Sequence, residues 1–212
     1  MSAVDLYAMS LNEYLELAAS KSPTPGGGSV SAVTATNAAA MLSMVANLTI
    51  GKKGYEAAQE AAKRIAASSR DLMGELKTLT GEDMAAFDNF MAAWRLPVST
   101  PAEKEAKVRA MEEAAERASR VPLRICGACL RILTAACELA PIGNKSAISD
   151  VGVALYIAEA ALRAAMLSVD INLPLIKSAP LVAALSAERE RLLGEAEGLK
   201  ASGLGVVKSR LA

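Results

Sequence analysis

The 212-residue sequence contains no histidine, only 3% aromatic residues and no excess charge of either sign, with 23 basic and 23 acidic side chains. Without histidine, acid or base chemistry near neutral pH falls to a carboxylate, lysine, tyrosine or thiol whose pKa is shifted. Nucleic acids and anionic membranes normally require a basic excess in their partners. We therefore expect neither a nucleic acid nor a membrane as a partner.

Cysteine is also scarce, with Cys126, Cys129 and Cys137 in one apparently helical stretch. An odd number of cysteines does not suggest a disulfide framework. The pair in CGAC supplies two thiols, Cys137 lies on nearly the same helical face, and no histidine can complete a zinc shell. We expect buried, inert thiols and no metal site.

The N-terminal stretch has acidic residues early and no basic segment followed by an apolar core, so we expect no secretory signal and a cytoplasmic location. Residues 29–51 form an uncharged run that is long enough to span a bilayer. This run contains eight Ser, Thr and Asn residues, whose polar groups would be costly against lipid. A buried helix inside a bundle is the favoured interpretation.

The core must come from small and aliphatic residues, since 52% of the chain is hydrophobic but little of it is aromatic. Alanine, leucine and methionine suit closely packed helices better than sheets. We predict an all-α fold in which residues 1–212 form a single domain, a multi-helix bundle or array. A surface this apolar also predicts a homodimer.

Capping, glycine and proline signals predict where the helices begin and end. Ser10 and Glu13 form a capping box, Gly81 marks a junction, and Pro122 should kink or split a long helix. A proline near position 101 restarts the chain after Leu96-Pro97. The predicted helices cover residues 11–21, 29–50, 55–79, 82–94, 102–139 and 149–169, with further helices after Pro180.

The segment SPTPGGGSVSAVTATNAAAMLSMVANLTIGKKGY, residues 22–55, offers a candidate anion site at each end of one helix. Gly26, Gly27 and Gly28 can bring backbone N–H groups close to a ligand, at the positive end of a helix that begins near Ser29. Lys52 and Lys53 supply cations at the far end. The segment lacks the G-x-x-x-x-G-K-[ST] spacing of a Walker loop and the preceding strand of a dinucleotide site.

Asp83 is the strongest candidate for acid or base chemistry. It lies one helical turn before Phe87, so both side chains project from one face. An aromatic wall with little water would raise the pKa of this carboxyl. The alternative is a helix-capping role just after Gly81. Asp88 lies about 140° around the helix from Asp83, so the two cannot form a carboxylate pair.

The loop GNKSAISD, residues 143–150, supplies further polar candidates. Asn144 and Lys145 add an amide and a cation, a combination suited to a heterocycle or a carboxylate. Asp150 is equally suited to start a helix. Asn172, in VDINL, could bind a ligand or cap a helix.

Six segments, in order and without long gaps, resemble the cyclodeaminase/cyclohydrolase family of folate enzymes. They are PTPGGGSV, SMVANLTIGKKGY, GEDMAAF, VPL, GNKSAISDVGVA and VDINL. The resemblance implies a homodimer with the folate site near its interface. It also implies a substrate that is itself a tetrahydrofolate derivative, with no further cofactor.

The resemblance implies catalytic roles for Asp83 and Lys52. The other residues it implies in substrate binding are Gly26, Gly27, Gly28, Lys53, Asn144, Asp150 and Asn172. Asp150 and Asn144 suit the pterin edge, and Lys52 and Lys53 suit the glutamyl tail as mobile cations.

Two reactions of the family fit the chain. Methenyltetrahydrofolate cyclohydrolase converts 5,10-methenyltetrahydrofolate to 10-formyltetrahydrofolate, whereas formiminotetrahydrofolate cyclodeaminase releases ammonia and forms the methenyl compound. Because the cyclodeaminase is best known beside a formiminotransferase domain, the free-standing chain favours the cyclohydrolase. A non-catalytic helical scaffold would explain the composition but not the glycine loop, the lysine turn and GNKSAISD together.

Overall fold

A computed structural model describes residues 4–212, which form six α-helices and no β-strand. The helices are α1 (Leu11–Ala19), α2 (Gly27–Asn47), α3 (Gln59–Trp94), α4 (Pro101–Leu139), α5 (Ile148–Asp170) and α6 (Ala179–Leu211). Short 3₁₀ turns at Leu6–Ala8, Glu56–Ala58, Lys145–Ala147 and Leu173–Leu175 connect them. The prediction of an all-α fold is confirmed.

Local capping explains how two of these helices begin. Ser10 and Glu13 form the predicted capping box before α1. Thr100 and Glu103 form a second capping box before α4, with Pro101 at the first helical position. Each box satisfies backbone N–H groups that a helix start would otherwise leave unpaired.

The structure does not divide the helices at two positions where the sequence predicted a break. Gly81 lies inside α3 rather than between helices, because Thr80 and Met84 on either side are buried and an interior glycine costs only about 1 kcal/mol. Pro122 lies inside an unbroken α4, with Ser119 and Leu123 buried beside it. Packing on the core outweighs these local signals.

The last part of the chain also differs from the prediction of several helices after Pro180. It forms one helix, α6, of 33 residues. Its surface charges pair along the helix, as Arg191 does with Glu188 and Glu195. Such pairs support a continuous solvent-facing helix.

Helix α2 lies at the centre of the bundle and packs against α3 and α5. Alanines such as Ala35, Ala38 and Ala39 are fully buried along it, so the neighbouring backbones can approach closely. The N-terminus of α2 adjoins the C-terminal end of α5, and its C-terminus adjoins the loop before α5. The two helices are therefore antiparallel, and the 21 residues of α2 separate its ends by roughly 30 Å.

Three helical segments are long and apolar enough to cross a membrane by length and composition: Gly27–Asn47, Pro101–Ile142 and Lys145–Leu175. About half of the most apolar window in each segment is buried against the rest of the chain. These segments also supply most of the shared hydrophobic core.

Candidate active site

A cavity of about 490 Å³ opens where the N-terminus of α2 meets the C-terminal third of α3, the middle of α4 and the C-terminal end of α5. Its walls are mostly apolar or small. Asp83 is the only ionisable residue among those that line it, and Thr24, Ser168 and Asn172 add neutral polar groups. The cavity therefore combines one carboxylate with a largely apolar slot, as binding sites for small organic molecules often do.

Asp83 lies in the interior of α3, so the alternative role of capping a helix after Gly81 is excluded. Its carboxyl group points to the first turn of α2. A Cβ added to Gly28 would overlap Oδ1 and lie 2.6 Å from Cγ and 2.7 Å from Oδ2. Only glycine leaves room for the carboxyl group in this position.

Burial raises the pKa of Asp83 above its ordinary value, and the amide and hydroxyl of Ser29 partly oppose this by stabilising the ionised form. The N-terminal end of α2 adds its positive dipole. A carboxyl group with a raised pKa is a stronger base than an ordinary aspartate and holds a proton more readily. The site thus holds a candidate general acid or base in a chain without histidine.

The start of α2 presents free backbone donors to the same cavity. Gly26 is the N-cap and makes no side-chain capping hydrogen bond. Gly26, Gly27 and Gly28 all line the cavity. N–H groups at a helix start have no partner within the helix and can bind an anionic ligand, which stays the prediction for this loop.

The aromatic wall beside the carboxylate is present. Phe87 and Phe90, about one and two turns further along α3, line the cavity with Asp83. Asp88 lies on the exposed side of the helix, as the helical period predicted. Burial, to which this wall belongs, is the physical cause of the raised pKa of Asp83.

Asn172 also reaches the cavity, and Pro122 contributes to its placement. Because proline has no N–H group, the carbonyl of Ala118 receives no helical hydrogen bond from position 122. The Nδ2 group of Asn172 donates to this carbonyl at 3.2 Å and to the Ser168 carbonyl at 2.7 Å. The VPL and VDINL segments are thus joined at one wall of the cavity.

The remaining predicted residues lie at the opposite end of α2, roughly 30 Å away. Lys52 and Lys53 are exposed in the turn after α2, and Asp150 lies in the first turn of α5. Within one chain, the structure does not bring these residues together with Asp83.

Asn144 is buried at that far end and is occupied by contacts within the protein. Its Nδ2 donates to the Leu48 carbonyl at 3.1 Å, its Oδ1 accepts from the Ser146 amide, and its backbone N–H donates to Thr49 Oγ1 at 2.9 Å. These bonds attach the GNKSAISD loop to the end of α2. In a single chain, Asn144 therefore serves to hold the loop.

The cysteines behave as buried apolar groups. Cys126 and Cys129 are buried and Cys137 is half-buried, and all three are unpaired thiols. Burial raises the pKa of Cys126 to about 12 and also raises the pKa of the other two thiols. Among residues 4–212, no group of three His, Cys, Asp or Glu residues could hold a metal ion.

Some cavity residues were not identified from the sequence. Thr24, Ser168, Ile171 and Leu175 line the cavity but belong to no recognisable catalytic motif. Phe90 carried a usable signal, since it follows Phe87 by three residues on the same helical face. The others are brought together only by the antiparallel packing of α2 and α5.

Known proteins resemble this chain over nearly its whole length. A family model described as formiminotransferase-cyclodeaminase matches residues 10–191. The methenyltetrahydrofolate cyclohydrolase of Methylorubrum extorquens is 37% identical over 201 residues, which cover 95% of this chain and 97% of that protein. The formimidoyltransferase-cyclodeaminase of Gallus gallus is 32% identical over 94% of this chain, but only 37% of its own length is covered.

A solved structure shows the same fold. The formiminotetrahydrofolate cyclodeaminase of Thermotoga maritima matches with a TM-score of 0.87 at 28% identity. The match covers 96% of this chain and 98% of that one. The likeness extends over nearly the whole bundle rather than over one helical pair.

Proposed function

We propose that this chain, which belongs to the formiminotransferase-cyclodeaminase family, is a methenyltetrahydrofolate cyclohydrolase. This enzyme hydrolyses 5,10-methenyltetrahydrofolate to 10-formyltetrahydrofolate. The observation that carries this proposal is the half-buried carboxylate of Asp83, which lies in an apolar cavity and faces the start of α2. The 37% identity to a cyclohydrolase over nearly the full length of both chains supports this reaction.

The geometry suggests how Asp83 serves this reaction. The substrate carries a positive charge shared between N5, the bridging carbon and N10, which the carboxylate can stabilise. A water molecule adds to the bridging carbon, and Asp83 accepts one of its protons. When the bond between this carbon and N5 breaks, Asp83 returns the proton to N5. The remaining proton of the added water leaves the hydroxyl group to solvent, and the formyl group remains on N10.

The alternative reaction is the closure of 5-formiminotetrahydrofolate with release of ammonia. It is favoured by the structural match to the Thermotoga maritima cyclodeaminase. The same tetrahedral carbon between N5 and N10 is formed, and Asp83 would instead protonate the departing nitrogen. The cyclohydrolase remains the first proposal because the identity to the Methylorubrum protein is higher, at 37% against 28%.

The residues at the far end of α2 fit this function if two chains form a homodimer. Helix α2 contains no charged residue. Helix α5 beside it and the residue after α5 expose a row of large apolar side chains: Val153, Tyr156, Leu167 and Ile171. An uncharged face of this kind is suited to a second copy of the same chain. If a two-fold axis places the α2 helices of the two copies antiparallel, the C-terminal end of one α2 lies near the N-terminal end of the other. Lys52 and Lys53 of one copy would then reach the cavity of the other.

In this arrangement Lys52 completes the catalytic site in trans, and Lys53 and Asp150 contribute to the rim of the same site. Asn144 would hold the loop that presents them. The proposal keeps the expected cytoplasmic location and requires no cofactor beyond the folate substrate.

Subunit mixing tests the shared site. Asp83→Asn and Lys52→Ala homodimers should each lose most activity, whereas mixed dimers should contain one intact site. An equal mixture should then recover about a quarter of the wild-type sites. If the mixture recovers no activity while mixed dimers are shown to form, Lys52 does not act across the interface.

A spectroscopic assay separates the two reactions. The near-ultraviolet band of 5,10-methenyltetrahydrofolate should disappear faster with the protein than without it, and 5-formiminotetrahydrofolate should release no ammonia. Ammonia release with growth of the methenyl band would favour the cyclodeaminase. No enzyme-dependent change in either assay would leave only the non-catalytic scaffold.

A further inference from the structure

A second cavity, of about 420 Å³, adjoins the candidate active site. Its lining includes Trp94, Lys104, Lys107, Val108, Leu175 and Lys177, and we call it the lysine groove. Leu175 lines both the lysine groove and the site cavity. A ligand in the site could therefore extend past Leu175 into the groove.

Within one chain, the site cavity offers no cation to an anionic part of a ligand. None of its lining residues is lysine or arginine, and Asp83 is negative when ionised. A folate, however, carries carboxylates at its glutamyl end. Lys52 and Lys53, which the sequence suggested for this end, lie roughly 30 Å away in the same chain. In the proposed dimer, Lys52 of the other copy serves the catalytic site and Lys53 lies at its rim.

The three lysines of the groove are free to meet such carboxylates. None of them forms an ion pair with a carboxylate of residues 4–212, although many other basic residues do. Lys107 lies over the Trp94 ring, with Nζ 5.4 Å from the ring centroid. Lysines without an acidic partner in an apolar groove favour an anionic ligand.

The nearby carboxylates are occupied by other contacts. Glu112 Oε1 accepts from the backbone amides of Lys177 and Ser178, at 2.9 and 3.1 Å. This interaction holds the segment after Leu175 against α4, and so places Lys177 at the groove.

Two further acidic residues flank Lys104 in sequence but are also engaged. Glu103 accepts from the Thr100 amide at 2.8 Å in the capping box. Glu105 pairs with Arg109 at 3.8 Å. The lysine groove therefore retains a net positive charge toward a ligand.

We propose that the lysine groove binds the γ-linked polyglutamyl tail of the folate substrate. The inference rests on the proposed function, since it assumes that the site cavity holds the pterin and aminobenzoyl parts. The tail leaves past Leu175, its carboxylates meet Lys104, Lys107 and Lys177, and its methylene groups pack on Trp94 and Val108. Trp94 has 58% of its surface exposed and would gain apolar contact from this tail.

The test compares 5,10-methenyltetrahydrofolate with one and with five glutamyl residues. In wild type, the pentaglutamate should have the lower KM and the same kcat, because the groove lies away from the reacting carbon. The triple variant K104A/K107A/K177A should raise KM for the pentaglutamate about tenfold. Its KM for the monoglutamate should stay nearly unchanged. Added salt should weaken the wild-type preference, since Lys104 and Lys177 are exposed and Lys107 is half-buried.

The variant K63A/K208A serves as the control, since it removes two exposed lysines at positions outside both cavities. It should keep the wild-type preference for the pentaglutamate. Equal KM values of wild type for both substrates would overturn the inference while leaving the proposed function intact. An equal loss in the triple variant with both substrates would also overturn it.

Trp94 provides a readout that does not depend on turnover, because it is the only tryptophan of the chain. A γ-linked glutamate pentapeptide without a pterin should change Trp94 emission in wild type and in K63A/K208A, but not in the triple variant. If wild type hydrolyses neither folate, the proposed function fails, and this titration still decides whether the groove binds the tail. No emission change at millimolar peptide would overturn the inference.

Discussion

The substitution Gly28→Ala tests the geometry of the candidate site without removing any functional group. The new Cβ would overlap Asp83 Oδ1 and lie 2.6 Å from Cγ. To restore ordinary contact distance, the carboxyl group must move by roughly 1 Å. A displacement of this size at a reacting group can lower the rate about 100-fold.

The cost in stability should be much smaller than the cost in activity. The atoms that must move are the far end of one side chain, so we expect about 1 kcal/mol, at the low end for an overpacked site. In a chain of this size that corresponds to a melting temperature about 2–4 °C lower. Gly81→Ala is the matched control, since its Cβ would meet no atom within 4 Å. It should stabilise α3 by about 0.5–1 kcal/mol.

The assays are thermal unfolding and the loss of the methenyl band. A double-mutant cycle with Asp83 sharpens them, because the two residues are in contact. Gly28→Ala should cost no stability when Asp83 is alanine, since the overlap is gone. It should also cost little further activity when Asp83 is asparagine. Full kcat/KM in Gly28→Ala alone would refute the placement of Asp83 as the acid or base.

Three further results are expected. Because burial raises the pKa of Asp83 above 3.8, wild type should lose stability relative to Asp83→Asn as pH rises through the raised pKa. The difference should be smallest below pH 3.8, and urea unfolding at several pH values would measure this loss. Pro122→Ala should return a donor to the carbonyl that Asn172 uses and lower kcat/KM about tenfold without loss of melting temperature. Because burial raises the pKa of Cys126 to about 12, a thiol reagent should label at most Cys137 before unfolding.

Local signals accounted for much of the helical layout. The capping box at Ser10 and the start at Thr100 depend on residues three positions apart, so the sequence alone could predict them. Gly81 and Pro122 do not divide their helices because their effects are local and modest, whereas the buried residues beside them contribute packing energy across the bundle. The continuity of α3 mattered for function, since it removed the capping role of Asp83.

The candidate site was only partly predictable. Gly28 and Asp83 were both identified, but their contact joins residues 55 positions apart and follows from the packing of α2 on α3. The distance of Lys52 from Asp83 follows from the length of α2. The sequence predicted this length, but no motif indicated that it separates the two residues. The lysine groove joins three separate stretches of chain and left no pattern in the sequence.

The most direct test of the central claim is the rate at which purified wild type and Asp83→Asn consume the methenyl band of 5,10-methenyltetrahydrofolate. The account predicts enzyme-dependent hydrolysis by wild type and a loss of about 100- to 10,000-fold in Asp83→Asn. Reduced folates should raise the melting temperature of both proteins. Equal rates in the two proteins would contradict the assignment of Asp83, and no hydrolysis by wild type would contradict the proposed cyclohydrolase activity.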